Sequence, residues 1–219
     1  MEISELTIEV RDPSYTRIGQ FRPTDLVGAK FILKFNNVGS WEMKLPQGNR
    51  LGEFLRLPGY GVIVTGPSGT VLFSGPTLSA QLLQTADNVD GDWSISGVSD
   101  DIALIERLAY PTPSTADVTE QTDASDDRLG FCETIIKEYV SANIGPNAPA
   151  VRQIANLSIQ ATSNLGETVQ GAARFQTLQE VLYGLAQTSN LGYTIEQLGT
   201  GLEFKVYSPS DRTSTVRMD

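Results

Sequence analysis

Apolar and polar residues alternate at period two through the first hundred positions of this chain, and a helical spacing appears only afterwards. Leu6, Ile8 and Val10 are separated by Thr7 and Glu9, the pattern of a half-buried strand. After the turn-rich stretch from Arg11 to Thr24, the run Ala29 to Phe35 puts Phe31, Leu33 and Phe35 on one face. The run Ser40 to Leu45 does the same with Trp41, Met43 and Leu45. Asn36-Asn37-Val38-Gly39 between them supplies residues that tolerate positive φ, so the two runs predict a hairpin. Gly61 to Thr65 and Val71 to Ser74 repeat this about Gly66-Pro67-Ser68-Gly69, and Thr77 to Thr85 and Trp93 to Val98 repeat it about residues 86–92. About seven strands in a hundred residues imply an antiparallel barrel or sandwich. The stretch 100–108, DDIALIERL, then changes to helical spacing through Ile102, Ile105 and Leu108.

From Thr112 to Asp127 the residues are Thr, Ser, Pro, Asp and Ala with almost no large apolar side chain, which predicts a polar linker or crossing. Beyond it, Phe131, Ile135, Tyr139 and Ala142 form a stripe that predicts a helix over 127–143, stopped by Gly145-Pro146. A second helix is predicted from Leu178 to Ser189, with Thr177 and Glu180 in capping-box spacing. Tyr193 to Gln197 and Leu202 to Tyr207 alternate about Leu198-Gly199-Thr200-Gly201, a final hairpin. The expected organisation is a mainly β protein: an antiparallel β domain at 1–113, a polar crossing at 114–126, and a smaller α+β domain at 127–219 with two amphipathic helices and a hairpin.

Composition narrows the chemistry. The 219 residues include no histidine, so neither a Ser-His-Asp nor a Cys-His nucleophile pair, nor a His-ligated zinc, can be built. Sixteen basic against 26 acidic residues give a net charge of −10, and both halves share it, at −4 before Pro113 and −6 after. That balance opposes a nucleic-acid grip, which depends on clustered Lys and Arg. The single cysteine, Cys132, lies among Phe131, Ile135 and Ile136 and reads as a buried thiol. The N-terminus alternates where a signal peptide would carry a basic region and an apolar stretch, and no run approaches about 18 apolar residues, so no membrane insertion is expected from this segment.

The remaining motifs favour structural roles. Asp87, Asp90 and Asp92 crowd one loop, but Val89 stands where an EF-hand ligand belongs, so a hairpin turn is the better reading. Asp100-Asp101 and Asp126-Asp127 each precede a predicted helix, where negative charge offsets the dipole. Gly59-Tyr60-Gly61 lacks the Lys and helix start of a phosphate loop, and Asn156-Leu157-Ser158 has no secretory context. Trp41 and Trp93 fall on predicted core faces. No catalytic, cofactor or metal residue is assigned.

A series of segments carries a resemblance. VGSWEMKLP at 38–46, LPGYGVIV at 57–64 and VLFSGP at 71–76 are followed by Leu-Ala-Tyr-Pro at 108–111. The helix-like DRLGFCETIIKEYVSANIG at 127–145, RFQTLQEVLYGLA at 174–186 and VYSPSDRT at 206–213 come next. In this order they resemble the N-terminal part of hub-type minor tail proteins of long-tailed non-contractile phages, related to the central baseplate hub of contractile phages. The resemblance implies a tube-like first β domain, a homotrimeric ring at the tail tip that continues the tail tube, and a channel through which DNA passes without specific binding. It also implies assembly in the bacterial host cytoplasm, and tail-tube, distal-tail and tape-measure or fibre proteins as neighbours. Members of that family run on into a second tube-like β domain, which is expected beyond residue 219 or from another chain.

An acidic lumen would repel DNA phosphates within a screening length of about 8 to 10 Å, and Glu5, Glu9 and Glu42 on polar strand faces are its candidates. Two other classes stay open. A receptor- or carbohydrate-binding tail module would need Trp41 or Trp93 exposed, and a carboxylate glycosidase would need two acids about 5 to 9.5 Å apart in a cleft.

Overall fold

The computed structural model describes residues 5–210 apart from residue 87. Two compact units emerge, one of residues up to Glu106 with Ala155–Ser158 and Ile195–Glu203, the other of Arg107–Ile154 and Ile159–Thr194 with Phe204 onward. Antiparallel strands dominate the first, and the second combines them with two helices.

The first unit is built on β1 (Thr7–Arg11), β2 (Arg17–Phe21), β3 (Gly28–Ile32), β4 (Ser40–Pro46), β5 (Gly61–Thr65), β6 (Val71–Thr85) and β7 (Asn88–Val98). They form one antiparallel sheet in the order β2-β1-β5-β6-β7-β4-β3. The alternation read from the sequence is realised most clearly in β4, where Trp41, Met43 and Leu45 are buried and Glu42, Lys44 and Pro46 are exposed. Each strand sends one face into a single cluster that includes Ile8, Val10, Phe21, Phe31, Trp41, Met43, Val62, Val64, Phe73 and Ile95. A flat sheet cannot place all seven strands around one cluster, so the sheet wraps it. Burying each of these side chains stabilises by about 1.5 to 3 kcal/mol before entropy is counted.

Strand β6 explains how the wrap is made. The sequence reads as two strands separated at Gly75-Pro76, but β6 runs through both and changes partner there, from β5 (Gly61↔Pro76) to β7 (Thr77↔Gly97). A Cβ on Gly75 would collide with the Val98 carbonyl oxygen, so only glycine lets the two halves approach. Pro76 fits because its missing N–H falls where the ladder changes hands, and its carbonyl accepts from Trp41 Nε1 at 3.2 Å. At the far end β7 already begins at Asn88, so most of the turn expected over 86–92 is strand: Gly91, at φ +80, lies within it with its N–H held by Asn88 Oδ1 at 2.9 Å, and Asp87 is outside the described residues.

Two elements here escaped the alternation. Helix α1 (Arg50–Leu55) is started by Asn49, whose side chain accepts from the N–H groups of Leu51 and Gly52, and it lays Leu51, Phe54 and Leu55 on the core. Strand β2 lies in the segment read as turn-rich; only Phe21 of its five residues is buried, which leaves no periodic signal. The short helix α2 (Ile102–Ile105) follows the sheet.

In the second unit, β8 (Asp126–Phe131) pairs with β10 (Thr168–Ala173), and helices α3 (Cys132–Asn143) and α4 (Leu178–Thr188) pack on it and on each other. The helix expected over 127–143 therefore begins five residues later. Phe131, the first residue of its expected apolar stripe, lies with Leu129 on the open face of a strand instead, where β propensity outweighs an i, i+4 spacing. Helix α4 has the predicted capping box: Thr177 Oγ1 accepts from Glu180 N–H, and Glu180 Oε2 from Thr177 N–H. Strands β11 (Gly192–Leu198) and β12 (Gly201–Tyr207) form the final hairpin, and β9 (Leu157–Ile159) adds to β12; of these strands, the residues within 155–158 and 195–203 belong to the first unit.

Candidate assembly interface

Among the described residues the sheet of the first unit does not close. Strand β2 pairs there only with β1 and β3 only with β4, so each end of the strand order offers a row of backbone N–H and C=O groups with no strand partner among them. Such edges recruit further strands. The β3 edge is also apolar: Val27, Ile32, Leu33 and Phe35 are all exposed around it, with Leu33 at 62%. The expectation that Leu33 and Phe35 continue a core-facing strand fails because β3 ends at Ile32. Ile18 is the exposed apolar residue of β2.

Cross-strand register places Lys30, Glu42 and Ser96 side by side on the outer face of β3, β4 and β7, next to Lys44 and Ser94. Glu42 is exposed and accepts a 3.1 Å hydrogen bond from Ser94 Oγ. A shallow cleft of about 350 Å³ is lined there by Lys30, Ile32, Glu42, Leu78, Ser96 and Val98. Of the other lumen candidates, Glu5 is exposed just before β1, whereas Glu9 is 16% exposed and paired with Arg17 at 2.9 Å. The three glutamates thus stand in different surroundings, and Glu42 is bracketed by two lysines. Trp41 is 2% exposed, and Trp93 is half-buried with the Arg56 guanidinium 4.2 Å above its ring.

The acidic pair Asp100-Asp101 does something the sequence did not suggest. Asp101 is the N-cap of α2, but its side chain makes no capping bond, and both carboxylates are buried. Asp100 receives Arg11 in a two-pronged pair, Nη2 to Oδ1 at 2.5 Å and Nη1 to Oδ2 at 2.9 Å, and a hydroxyl bond from Ser74 at 2.6 Å. Arg11 also donates to Gln197 Oε1 at 3.1 Å, and the Gln197 N–H to Ser74 Oγ at 2.9 Å. Asp101 accepts from the Ile195 N–H at 2.7 Å and from Ser99 Oγ at 2.9 Å. Two adjacent carboxylates thereby fix the segment 195–197 against β1 and β6. Burial, and then the Asp100 charge, push the Tyr15 hydroxyl above its ordinary range, while Arg11 opposes this. Only three-dimensional pairing joins Arg11 to Asp100, 89 positions apart.

The second unit has its own buried ion pair. Glu133 and Lys137, one turn apart on α3, are 1% and 3% exposed and meet at 2.5 Å. Glu133 also accepts from the N–H groups of Ser163 and Leu165, and Lys137 donates to Gln160 Oε1 and the Ala161 carbonyl. Burial alone raises the Glu133 carboxyl, but Lys137 and the two backbone donors together hold it below its ordinary range. Asp126, expected at a helix start, sits in β8 and takes Arg128 at 2.7 Å. Cys132 is fully buried, donates to the Leu185 carbonyl at 3.2 Å, and burial raises its thiol pKa. Among the described residues no cluster of three or more His, Cys, Asp or Glu is placed to hold a metal ion, and no helix is long and apolar enough to cross a membrane.

Comparison with known proteins gives these features a context. The model of the Siphovirus ReqiPepy6 Gp37-like protein family matches residues 7–219. The fold is similar to a tail protein from Neisseria meningitidis MC58, with a TM-score of 0.53 at 15% identity, covering 91% of this chain and 50% of that one. Prophage tail protein gp18 from Listeria monocytogenes EGD-e is similar at a TM-score of 0.48 and 12% identity, over 90% of this chain and 50% of that one. The chain thus spans half the length of both tail proteins. No curated protein matches it in sequence.

Proposed function

Because the chain belongs to the Siphovirus ReqiPepy6 Gp37-like protein family, we propose that it is a structural protein of a siphophage tail and, within the tail, a tip or baseplate hub. The observation that carries this reading is the unclosed sheet with free edges on β2 and β3. An edge at each end of one strand order is a heterologous pair of surfaces: β2 of one copy can add to β3 of the next. Repeated head to tail, that contact gives a ring if the rotation closes, and three copies are the number the hub reading requires. Pairing would also cover Val27, Leu33 and Phe35, whose exposure is otherwise a liability. The net charge of −10 supports a channel wall that does not hold DNA. Tail-tube and peripheral tail proteins are the neighbours such a ring would meet, and the reading is of a scaffold rather than an enzyme.

A carbohydrate-binding role is the weaker reading, since it needs an exposed aromatic platform and the two tryptophans are buried or capped. The hub reading is tested with Gln20→Cys and Lys30→Cys in one chain, treated with a short bis-maleimide. Cross-linked species that end at three chains support it. Intrachain products alone, at concentrations where the chain self-associates, contradict it.

A further inference from the structure

The two-stranded sheet of the second unit is unfinished in a specific way. Among the described residues strand β10 pairs with β8 along one edge only, and α4 packs on the face of β10 that carries Gly171 and Ala173. Between β10 and the helix lies a groove of about 420 Å³, lined by Gln170, Ala172, Glu180, Val181, Gly184 and Thr188 among others. Its floor is strand backbone that makes no second ladder among the described residues, and its wall is a helix with a glycine at its middle.

Gly184 has no structural reason visible within the unit. Glycine in a helix interior costs stability relative to alanine, and a Cβ at this position would meet nothing within 4 Å. Neither a tight packing contact nor a positive φ explains it. What its missing side chain does is widen the groove beside the β10 edge, which is a use of glycine where another backbone must come close. The groove lining carries one formal charge, the Glu180 carboxylate, and no basic group. On the open face of the same sheet Leu129 is 76% exposed and Phe131 is also exposed.

We propose that the β10 edge and α4 form a docking groove for an extended strand of a protein partner, bound by β-strand addition. The strand alternates, with small side chains over Gly184 and Val181, and it carries Lys or Arg to meet Glu180. Backbone hydrogen bonds supply the affinity and the charge supplies the direction. The inference is independent of the ring reading, since none of these residues lies on β2 or β3.

The test uses the whole chain and a fluorescein-labelled peptide, Lys-Val-Ser-Val-Thr-Val-Lys, followed by anisotropy and by amide exchange over residues 168–173. Saturable binding is expected, with slower exchange at alternate β10 amides. A peptide with proline at its centre and one with Glu at both ends should bind at least tenfold more weakly. Gly184→Leu should weaken binding at least tenfold, whereas Gly184→Ala should stay within about threefold. Thr188→Lys, which repels the basic peptide without filling the groove, serves if Gly184→Leu does not fold. No saturable binding up to millimolar peptide overturns the proposal, as does binding indifferent to the central proline or to both groove substitutions.

Discussion

Replacing Asp100 by alanine removes the carboxylate from a site where Arg11 is 3% exposed. The guanidinium keeps Gln197 Oε1 at 3.1 Å and the Tyr15 ring, whose centroid is 5.1 Å away. Neither carries a formal charge to balance it, and Ser74 Oγ loses its 2.6 Å acceptor. Breaking one partner of a buried pair costs about 3 to 5 kcal/mol, because the other charge stays behind without compensation. For a unit of about 120 residues each kcal/mol shifts the midpoint by about 3 to 6 °C, so Asp100→Ala should lower the first unit's melting temperature by roughly 9 to 30 °C. Both tryptophans lie in the first unit's sheet, so fluorescence-monitored urea unfolding reads that unit selectively. The double variant Arg11→Met with Asp100→Leu should recover most of the loss, because removing both charges removes the desolvation cost as well. A loss below about 1 kcal/mol for Asp100→Ala would refute the reasoning, as would a double variant no more stable than the single.

Four further outcomes are expected. The Glu133 carboxyl titrates below its unfolded value, so its contribution is fully present above the ordinary glutamate range and is lost as pH falls through the folded value; Glu133→Gln should flatten the acid limb of stability, measured by circular dichroism between about pH 5 and 2. Gly75→Ala should prevent the first unit from folding, read as loss of the buried-tryptophan emission, since the added carbon meets the Val98 carbonyl rather than a movable side chain. Cys132 should resist a thiol reagent in the folded chain and react on unfolding, at a rate set by opening of the second unit. Trp41→Ala should cost about 3 to 5 kcal/mol, and Trp93→Ala distinctly less, in the same urea titration.

Much of the fold was legible because the alternation in β4, the Asn-rich turn before it and the Thr177–Glu180 cap are local signals that the tertiary structure leaves intact. Three features were not. Strand β2 buries one residue in five, so it has no pattern to read. Segment 127–131 carries apolar residues at positions that suit a helix stripe, but its pairing with β10, some 40 residues on, fixes it as a strand. Asp100 and Asp101 looked like dipole partners because their true partners, Arg11, Ser74 and the Ile195 N–H, come from distant parts of the chain. The candidate interface is legible only in outline: the alternation marks Glu42, a lumen candidate with Glu5 and Glu9, as a polar strand position, but that Lys30 lies across from it depends on strand register. The free edges belong to strand order, which no single segment encodes.

The most direct test of the assembly account is the mass of the chain in solution by light scattering, across a wide concentration range, repeated with the chain extended along its gene where that continues. The account predicts about three times 23.7 kDa for the chain, or three copies of the extended form, lost when a proline at Lys30 blocks the β3 edge. A strict monomer in both forms, or a trimer indifferent to that proline, would contradict it.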